Sequence, residues 1–366
     1  VITVEAFAAG FGDALLITYG PDDAPTRLLI DGGLRGTAVR IRRRLEELDA
    51  RIDLLVVTHI DADHIAGVVK LLDDPWFVSR VDAVWFNGYV HLDQFSHLLG
   101  VADGERLAER LERLGVAWNA GWPWRRPPGE RWNDIGGPIV VDDEPVGVEL
   151  PGDARAVVLS PNPDKMQRLL KVWRAAIRDA GLVDGVDAAR EQPAAPSRVL
   201  LGRAKLPDLA RRRSAVDRSE ANGSSIAFVL DIADGGVTRR LLLAGDAHPD
   251  LLVAGIDHLR DGDERLQVDL CKLPHHASSH NVTTGLVERL DCRHWLISTN
   301  GRRFRHPNKE ALARVILSNP GSTLYGNYRS NQPLASFTKS YSTRQHGYDV
   351  VRPPAGHPGI IVTLGS

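Results

Sequence analysis

Residues 52–64 read IDLLVVTHIDADH. Ile52–Val57 has the length of a β-strand and is apolar everywhere except Asp53, and it leads directly into His59, Asp61, Asp63 and His64. A run of this length that is apolar at all but one position marks a strand buried in a core. In α/β proteins, sites lie beyond the C-terminal ends of such strands. Imidazoles and carboxylates are the usual protein ligands of zinc, manganese and iron. An extended or turning segment points His59, Asp61 and Asp63 to one side, and His64 joins them where the chain turns into a helix. Paired carboxylates also offset the repulsion between two neighbouring cations. A solvated charge run has no reason to follow a buried strand, so the segment reads as a metal site.

Upstream, Val1–Ala8 is apolar-rich, Gly10–Asp13 reads as a turn, and Ala14–Tyr19 and Arg27–Ile30 are short apolar runs. Asp31-Gly32-Gly33 stops the third run, and a helix is expected over Thr37–Leu48, with Ile41, Leu45 and Leu48 at helical spacing. Downstream, Ile65–Leu72 starts a helix, Val81–Trp85 is a strand, and Gly104–Leu114 is an amphipathic helix with Leu107, Leu111 and Leu114 on one face. Trp118–Trp132 carries four tryptophans with Arg125, Arg126, Pro127 and Pro128, and reads as a long loop over one face.

Ala154–Leu159 is a further strand. From Asp164 to Arg218 the pattern is irregular, with one helix expected over Met166–Ala180, so about 164–218 reads as an insertion too short and polar to carry its own core. Order returns with Ser225–Leu230 and Arg240–Leu243, a hairpin around Asp234-Gly235-Gly236. Val268–Leu273, Trp295–Ser298 and Pro358–Leu364 are later strands, and Lys309–Leu317 a later helix.

Two more polar clusters end apolar strands. Leu241–Leu243 runs into Asp246 and His248, and Leu270–Leu273 runs through Lys272 into His275 and His276. A carboxylate at a buried strand end is costly unless a cation or donors meet it.

These landmarks together resemble the metallo-β-lactamase-fold hydrolases, and within them the soluble nuclease-like domain of the ComEC/Rec2 DNA-uptake proteins. The resemblance rests on Gly10–Asp13, Asp31–Gly33, the His59/Asp61/Asp63/His64 signature with aspartate replacing its second histidine, Asp246, Pro274–Ser278 with Ala277 where glycine is usual, Asn222 with Ser225 and Ile226, and His306-Pro307. It implies an α/β, four-layer αββα fold, two mixed β-sheets flanked by helices, with 1–366 forming one hydrolase domain. It implies that Asp63, His64, Asp246 and one of His275 and His276 hold one divalent metal, and that His59, Asp61 and bridging Asp246 hold the other. His276 is favoured as the ligand and His275 as the group reaching toward the substrate oxygen. The departure is the third-motif histidine, which has no counterpart between Ala154 and Ser225. Asn222 falls in that space, one metal is expected to be weakly held, and manganese is as plausible as zinc.

The implied chemistry is hydrolysis by water activated between two cations. Asp63, His275, Asn222 and His248 are the candidate catalytic residues, and Lys272, Arg302, Arg303, Arg305 and His306 the candidate substrate contacts. The expected substrate is a phosphodiester, with DNA among the candidates. Small phosphoesters, lactones or thioesters are the alternative for the same metal pair, and a non-catalytic metal-binding protein is the second.

Composition fits this without deciding it. A formal net charge of -2 gives no global attraction to polyanions, so any nucleic-acid contact must come from a local patch. The two cysteines, Cys271 and Cys292, cannot form a disulfide framework and read as buried thiols. No basic segment followed by an apolar run opens the sequence and no stretch approaches membrane-span length, so a cytoplasmic protein is expected.

Overall fold

A computed structural model describes residues 1–88, 91, 102–120, 122, 136–179 and 204–365. Fifteen strands among these residues build two sheets. The first contains β1 (Ile2–Phe7), β2 (Leu15–Tyr19), β3 (Thr26–Ile30), β4 (Leu54–Val56), β5 (Ala83–Trp85), β6 (Ala117–Trp118) and β15 (Gly359–Leu364), in the order β15-β1-β2-β3-β4-β5-β6. Its strands are antiparallel from β15 to β3 and parallel from β3 to β6. The second contains β7 (Val146–Leu150), β8 (Ala154–Ser160), β9 (Ala227–Asp234), β10 (Val237–Leu243), β11 (Leu266–Lys272), β12 (Leu290–Ile297), β13 (Thr323–Gly326) and β14 (Asp349–Val351), in the order β14-β13-β12-β11-β10-β9-β8-β7. It is antiparallel from β7 to β10 and parallel from β10 to β14.

Burial explains the layering. Val4, Ile17, Leu28 and Val56 of the first sheet form one apolar cluster with Phe228, Leu230, Leu241 and Leu270 of the second, so the sheets pack face to face. The opposite face of the first sheet packs with Ile41, Leu45, Ile65, Val68 and Leu107, which lie on helices 38–47, 62–71 and 102–114. The outer face of the second packs with Leu252, Ile256, Leu312, Val315 and Phe337 on helices 249–259, 309–318 and 332–340. The fold is therefore α/β, with two mixed sheets flanked by helices. No described helix is long and apolar enough to cross a membrane.

The structure revises several local expectations. Within Ile52–Val57 only Leu54–Val56 is strand, with Ile52 in an isolated bridge to Val81. The Thr58 N–H leaves the ladder and donates to Asp31 Oδ1 at 2.8 Å, which ends pairing. The following helix starts at Ala62, not Ile65, so Asp63 and His64 lie in its first turn. Strands 146–150 and 349–351 were not anticipated because they are sheet edges whose half-exposed residues break the apolar run. Helix 249–259 was missed too, although Pro249 at its first position is a common helix start.

The 164–218 segment is less peripheral than its composition suggests. Its helix runs Pro163–Asp179, and Leu206 and Leu209 enter the core of the second sheet. Buried Arg314 binds the backbone of this segment through Ala210 O and Arg212 O. Residues 180–203 lie outside the described residues, as do Trp124, Trp132 and the arginines of the tryptophan-rich stretch. Trp118 and Trp122 are described and buried, Trp118 stacked on Phe86 and Trp122 edge-on to Trp85.

Candidate metal centre

Three strand ends deliver the site. Thr58 to His64 follows β4, Asp246 follows β10, and His275 and His276 follow β11. Because β10 and β11 are parallel neighbours, Asp246 and the histidine pair emerge side by side at one end of the sheet. The 62–71 helix is seated against the Asp31–Gly33 turn by two bonds, Gly32 N–H to His64 O at 2.8 Å and Gly67 N–H to Gly33 O at 2.9 Å.

Each imidazole is aimed by a partner at Nδ1. His64 Nδ1 lies 2.7 Å from Asp31 Oδ2, and a carboxylate only accepts, so Nδ1 carries the proton and Nε2 a lone pair. Thr58 Oγ1 gives its single proton to Asp31 Oδ2 at 2.8 Å and can therefore only accept from His59 Nδ1 at 3.0 Å. Ser225 Oγ lies 3.3 Å from the same nitrogen and accepts the Asp246 N–H at 3.0 Å, tying two motifs together. His276 Nδ1 sits 3.3 Å from Asp13 Oδ1, an ion-pair contact without hydrogen-bond alignment. His275 Nδ1 faces Asp217 Oδ2 at 3.1 Å and Asn281 Oδ1 at 2.9 Å.

The Nε2 atoms converge on one oxygen. Asp246 Oδ2 lies 3.4 Å from His64 Nε2, 3.3 Å from His276 Nε2 and 3.9 Å from His275 Nε2. His276 Nε2 is also 3.7 Å from Asp63 Oδ2, and His59 Nε2 is 3.6 Å from Asp61 Oδ2. Donors about 2.0–2.2 Å from a shared tetrahedral cation stand roughly 3.3–3.6 Å apart. The spacing suits cation binding. Buried Nε2 atoms of His59, His64 and His276 have no hydrogen-bond partner among the described residues, an expensive arrangement unless a cation accepts their lone pairs.

Charge points the same way. Asp13, Asp31, Asp217 and Asp246 are all buried, and Lys272 is the lysine enclosed with them. Burial disfavours charge on His64, but Asp246 and Asp31 outweigh it and hold its pKa well above the usual value, so a cation binding at Nε2 takes the place of a proton there. Asp246 is displaced well below the usual carboxylate range, because His276, His64 and His275 overcome the opposing effect of burial. Asp13, His64, Asp246 and His276 place ligand atoms within 4.8 Å of one another, a group fit to hold a divalent cation.

The remaining sequence candidates fall into three groups. Lys272, expected to contact substrate, is instead 1% exposed beneath the centre, paired with Asp13, 3.5 Å from Asp246 Oδ1 and donating to Gly245 O at 2.9 Å. Asn222 donates through its amide to Asp217 Oδ2 at 2.8 Å and lies 3.3 Å from His275 Nδ1, so it supports the carboxylate that aims His275, while its buried Oδ1 has no hydrogen-bond partner among the described residues. His248 stands farther out, its Nδ1 3.0 Å from Lys165 Nζ and its Nε2 3.9 Å from Asp217 Oδ1, in a cavity of ≈ 320 Å³ lined by Lys165, Arg168, Asp217, Arg218, Glu220 and His248. Arg302, Arg303 and Arg305 are exposed, with Arg303 4.9 Å from the Phe11 ring. His306 is buried edge-on to His275, and burial together with the neighbouring imidazoles keeps its pKa well below the usual value.

Sequence reasoning noted Asp13 and Asp31 as turn residues and landmarks of the resemblance, without a role in the centre, and missed Asp217 and Asn281. The turn motifs held the signal for the first two. Asp217 sits in irregular sequence and offered none.

Residues 9–157 match the sequence profile of the Metallo-beta-lactamase superfamily. This match supports a metallo-β-lactamase superfamily fold. It spans the His59–His64 signature and ends before Asp217, Asp246 and the histidine pair. The cluster is consistent with the hydrolase chemistry of that metallo-β-lactamase fold, with one or two divalent ions. No curated protein sequence matches the chain. Among solved structures, a putative metal-dependent hydrolase from Parabacteroides distasonis is 11% identical over 95% of this chain and 92% of that one, at a TM-score of 0.36. The metallo-beta-lactamase fold protein YhfI from Bacillus subtilis is 10% identical over 99% of both chains, also at 0.36. A metallo-beta-lactamase with a HARLDQ motif from Cronobacter sakazakii is 14% identical over 93% of this chain and 92% of that one, at 0.33. Likenesses this loose bear on neither substrate nor mechanism.

Proposed function

We propose that the protein is a hydrolase that uses two divalent cations, zinc or manganese, to cleave a phosphodiester, with nucleic acid among its candidate substrates. The observation that carries this reading is the convergence of aimed imidazoles on Asp246 Oδ2, flanked by Asp61 and Asp63. His59, Asp61, Asp63, His64, Asp246 and His276 are the residues that would hold the cations. Such ions supply water activation near neutral pH and stabilisation of negative charge on a phosphoryl oxygen.

The chain's own residues divide the remaining work. Asp63 is partly exposed at the mouth, where its carboxylate is placed to orient the attacking water and take its proton. Lys272 occupies the Oδ1 side of Asp246 and leaves Oδ2 to face the histidines. Arg302, Arg303 and Arg305 are exposed in the segment leading to His306, and Lys165, Arg168 and Arg218 line the cavity beside Asp217. Cationic side chains flanking the centre favour an anionic substrate over a lactone or thioester.

The test is turnover of bis(4-nitrophenyl) phosphate and single-stranded DNA against a lactone and a thioester, with protein purified without chelator and supplemented with manganese or zinc. Metal-dependent cleavage of the phosphodiesters alone is expected. Cleavage of the neutral esters only would overturn the substrate assignment, and a protein that neither holds metal nor turns over any substrate would overturn the hydrolase reading.

A further inference from the structure

We infer that His275 is a metal ligand standing in for the histidine absent from the third motif, and that Asp217 and Asn281 are the positioning residues that aim it. This rests on the two-cation reading above, and it replaces the expectation that His275 reaches toward the substrate.

The backbone makes the assignment geometrically available. Two adjacent residues in a strand point to opposite faces, so a histidine pair at a strand end would place only one ring in the centre. Here His275, His276 and Ala277 are consecutive left-handed residues, with φ of 47°, 54° and 65°. In a helical turn of either hand, neighbouring side chains diverge by only about 100°, so both rings can face one point. Their centroids are 5.9 Å apart, and both Nε2 atoms lie within 3.9 Å of Asp246 Oδ2. Left-handed conformation is strained for every non-glycine residue, and such strain persists only where the surroundings enforce it, as they do at functional sites.

The surroundings of Nδ1 then fix the tautomer. Asp217 Oδ2 at 3.1 Å and Asn281 Oδ1 at 2.9 Å can only accept and lie closer than the Asn222 amide nitrogen at 3.3 Å, so the proton sits on Nδ1 and the Nε2 lone pair is directed to the Asp246 side. Asp217 is itself held by the Asn222 amide at 2.8 Å and the Asn281 amide at 3.0 Å. The Asn281 amide also reaches Asp246 O at 3.2 Å, joining the aiming residues to the bridging residue's backbone. Carboxylate or amide oxygen, then Nδ1, then Nε2 toward Asp246 is the arrangement that Asp31 builds for His64. A residue that served only packing would not need it.

Donor counting places the ligand. His64, His276 and Asp246 with either Asp13 or Asp63 make four donors, enough to complete one site. His59, Asp61 and shared Asp246 make three, and His275 brings the second site to four. The 3.9 Å separation from Asp246 Oδ2 is a few tenths of an ångström beyond the edge expected between donors on one cation, a gap that side-chain rotation closes.

The experiment is metal stoichiometry and stepwise affinity by chelator competition, with cobalt(II) absorption as a second readout, on wild type, His275→Ala and Asp217→Asn. Wild type is expected to hold two equivalents. His275→Ala should keep the first and weaken the second at least about tenfold, and Asp217→Asn should weaken that same equivalent by roughly 10–100-fold. The cobalt spectrum should change for the second equivalent only. If His275→Ala does not fold, the outcome is read from Asp217→Asn, which preserves side-chain size. Variants that bind both equivalents with wild-type affinity while losing turnover would return His275 to the substrate and overturn the inference alone. Wild type without metal would overturn the function reading as well.

Discussion

Asp31 Oδ2 lies 2.7 Å from His64 Nδ1 although the two residues are 33 positions apart, and the other oxygen of the same carboxylate takes the Thr58 N–H at 2.8 Å. One buried side chain thus aims a ligand and ends the strand that precedes the ligand loop. Replacing it with asparagine keeps the shape but removes the charge that stabilises the Nδ1–H tautomer. Asp31→Asn is expected to weaken metal binding by roughly 10–100-fold with the fold retained. Chelator competition on protein with wild-type circular dichroism measures this, and unchanged affinity would remove Asp31 from the centre.

Asp246 should matter more than any single histidine. Its Oδ2 faces three Nε2 atoms, whereas each histidine contributes one donor. Asp246→Asn is expected to hold at most one metal tightly and to lose most turnover, because an amide cannot offset the repulsion between cations. Metal per chain and hydrolysis at wild-type levels in the folded variant would rule out a bridging role.

Gly67 offers a test of how the ligand helix is seated. A Cβ there would fall 1.9 Å from Gly32 O, whereas a Cβ at Gly36 would meet nothing within 4 Å. Gly67→Ala should therefore cost about 2 kcal/mol or more in urea denaturation and weaken metal binding, since His64 shares the displaced helix. Gly36→Ala should change stability by less than about 0.5 kcal/mol. Equal effects of the two substitutions would show that close approach to the Asp31–Gly33 turn is not what seats the helix.

His91 provides a pH dependence away from the metal ligands. Burial lowers its pKa from 6.5 to about 4, against the opposing effect of its backbone partners at Gly136 and Gly88. Between those values the unfolded chain binds more protons than the folded one, so this contribution is complete above pH 6.5 and is lost as pH falls toward 4. Wild type should lose about 3 kcal/mol relative to His91→Gln across that window. Parallel stability curves for the two proteins would contradict the buried neutral imidazole.

Arg303 is exposed and stands over Phe11, outside the ligand set. Arg303→Ala is expected to raise KM for a phosphodiester about two- to five-fold, with kcat and metal content nearly unchanged. An unchanged KM at low salt would place the substrate elsewhere.

The sequence by itself carried the strand and helix runs and the metal-ligand types, and the resemblance of its motifs to a known family carried the layer architecture. Apolar runs of strand length, the 3.6-residue spacing of Ile41 and Leu45, and ligand-rich ends at Asp61 and Asp246 are local signals, because burial and secondary structure act on neighbouring residues. Edge strands such as 349–351 were illegible because an exposed edge needs no apolar run. What only the tertiary structure decided is how the ligands are aimed. Asp31, Asp217 and Asn281 meet their imidazoles across 33, 58 and 6 positions through irregular backbone, where no periodicity reports them. Lys272 shows the same limit from the other side. Its position at a strand end suggested substrate contact, but packing against Asp13 and Asp246 made it an internal counter-charge. Burial chooses between those roles, and burial belongs to the assembled layers rather than to any one segment.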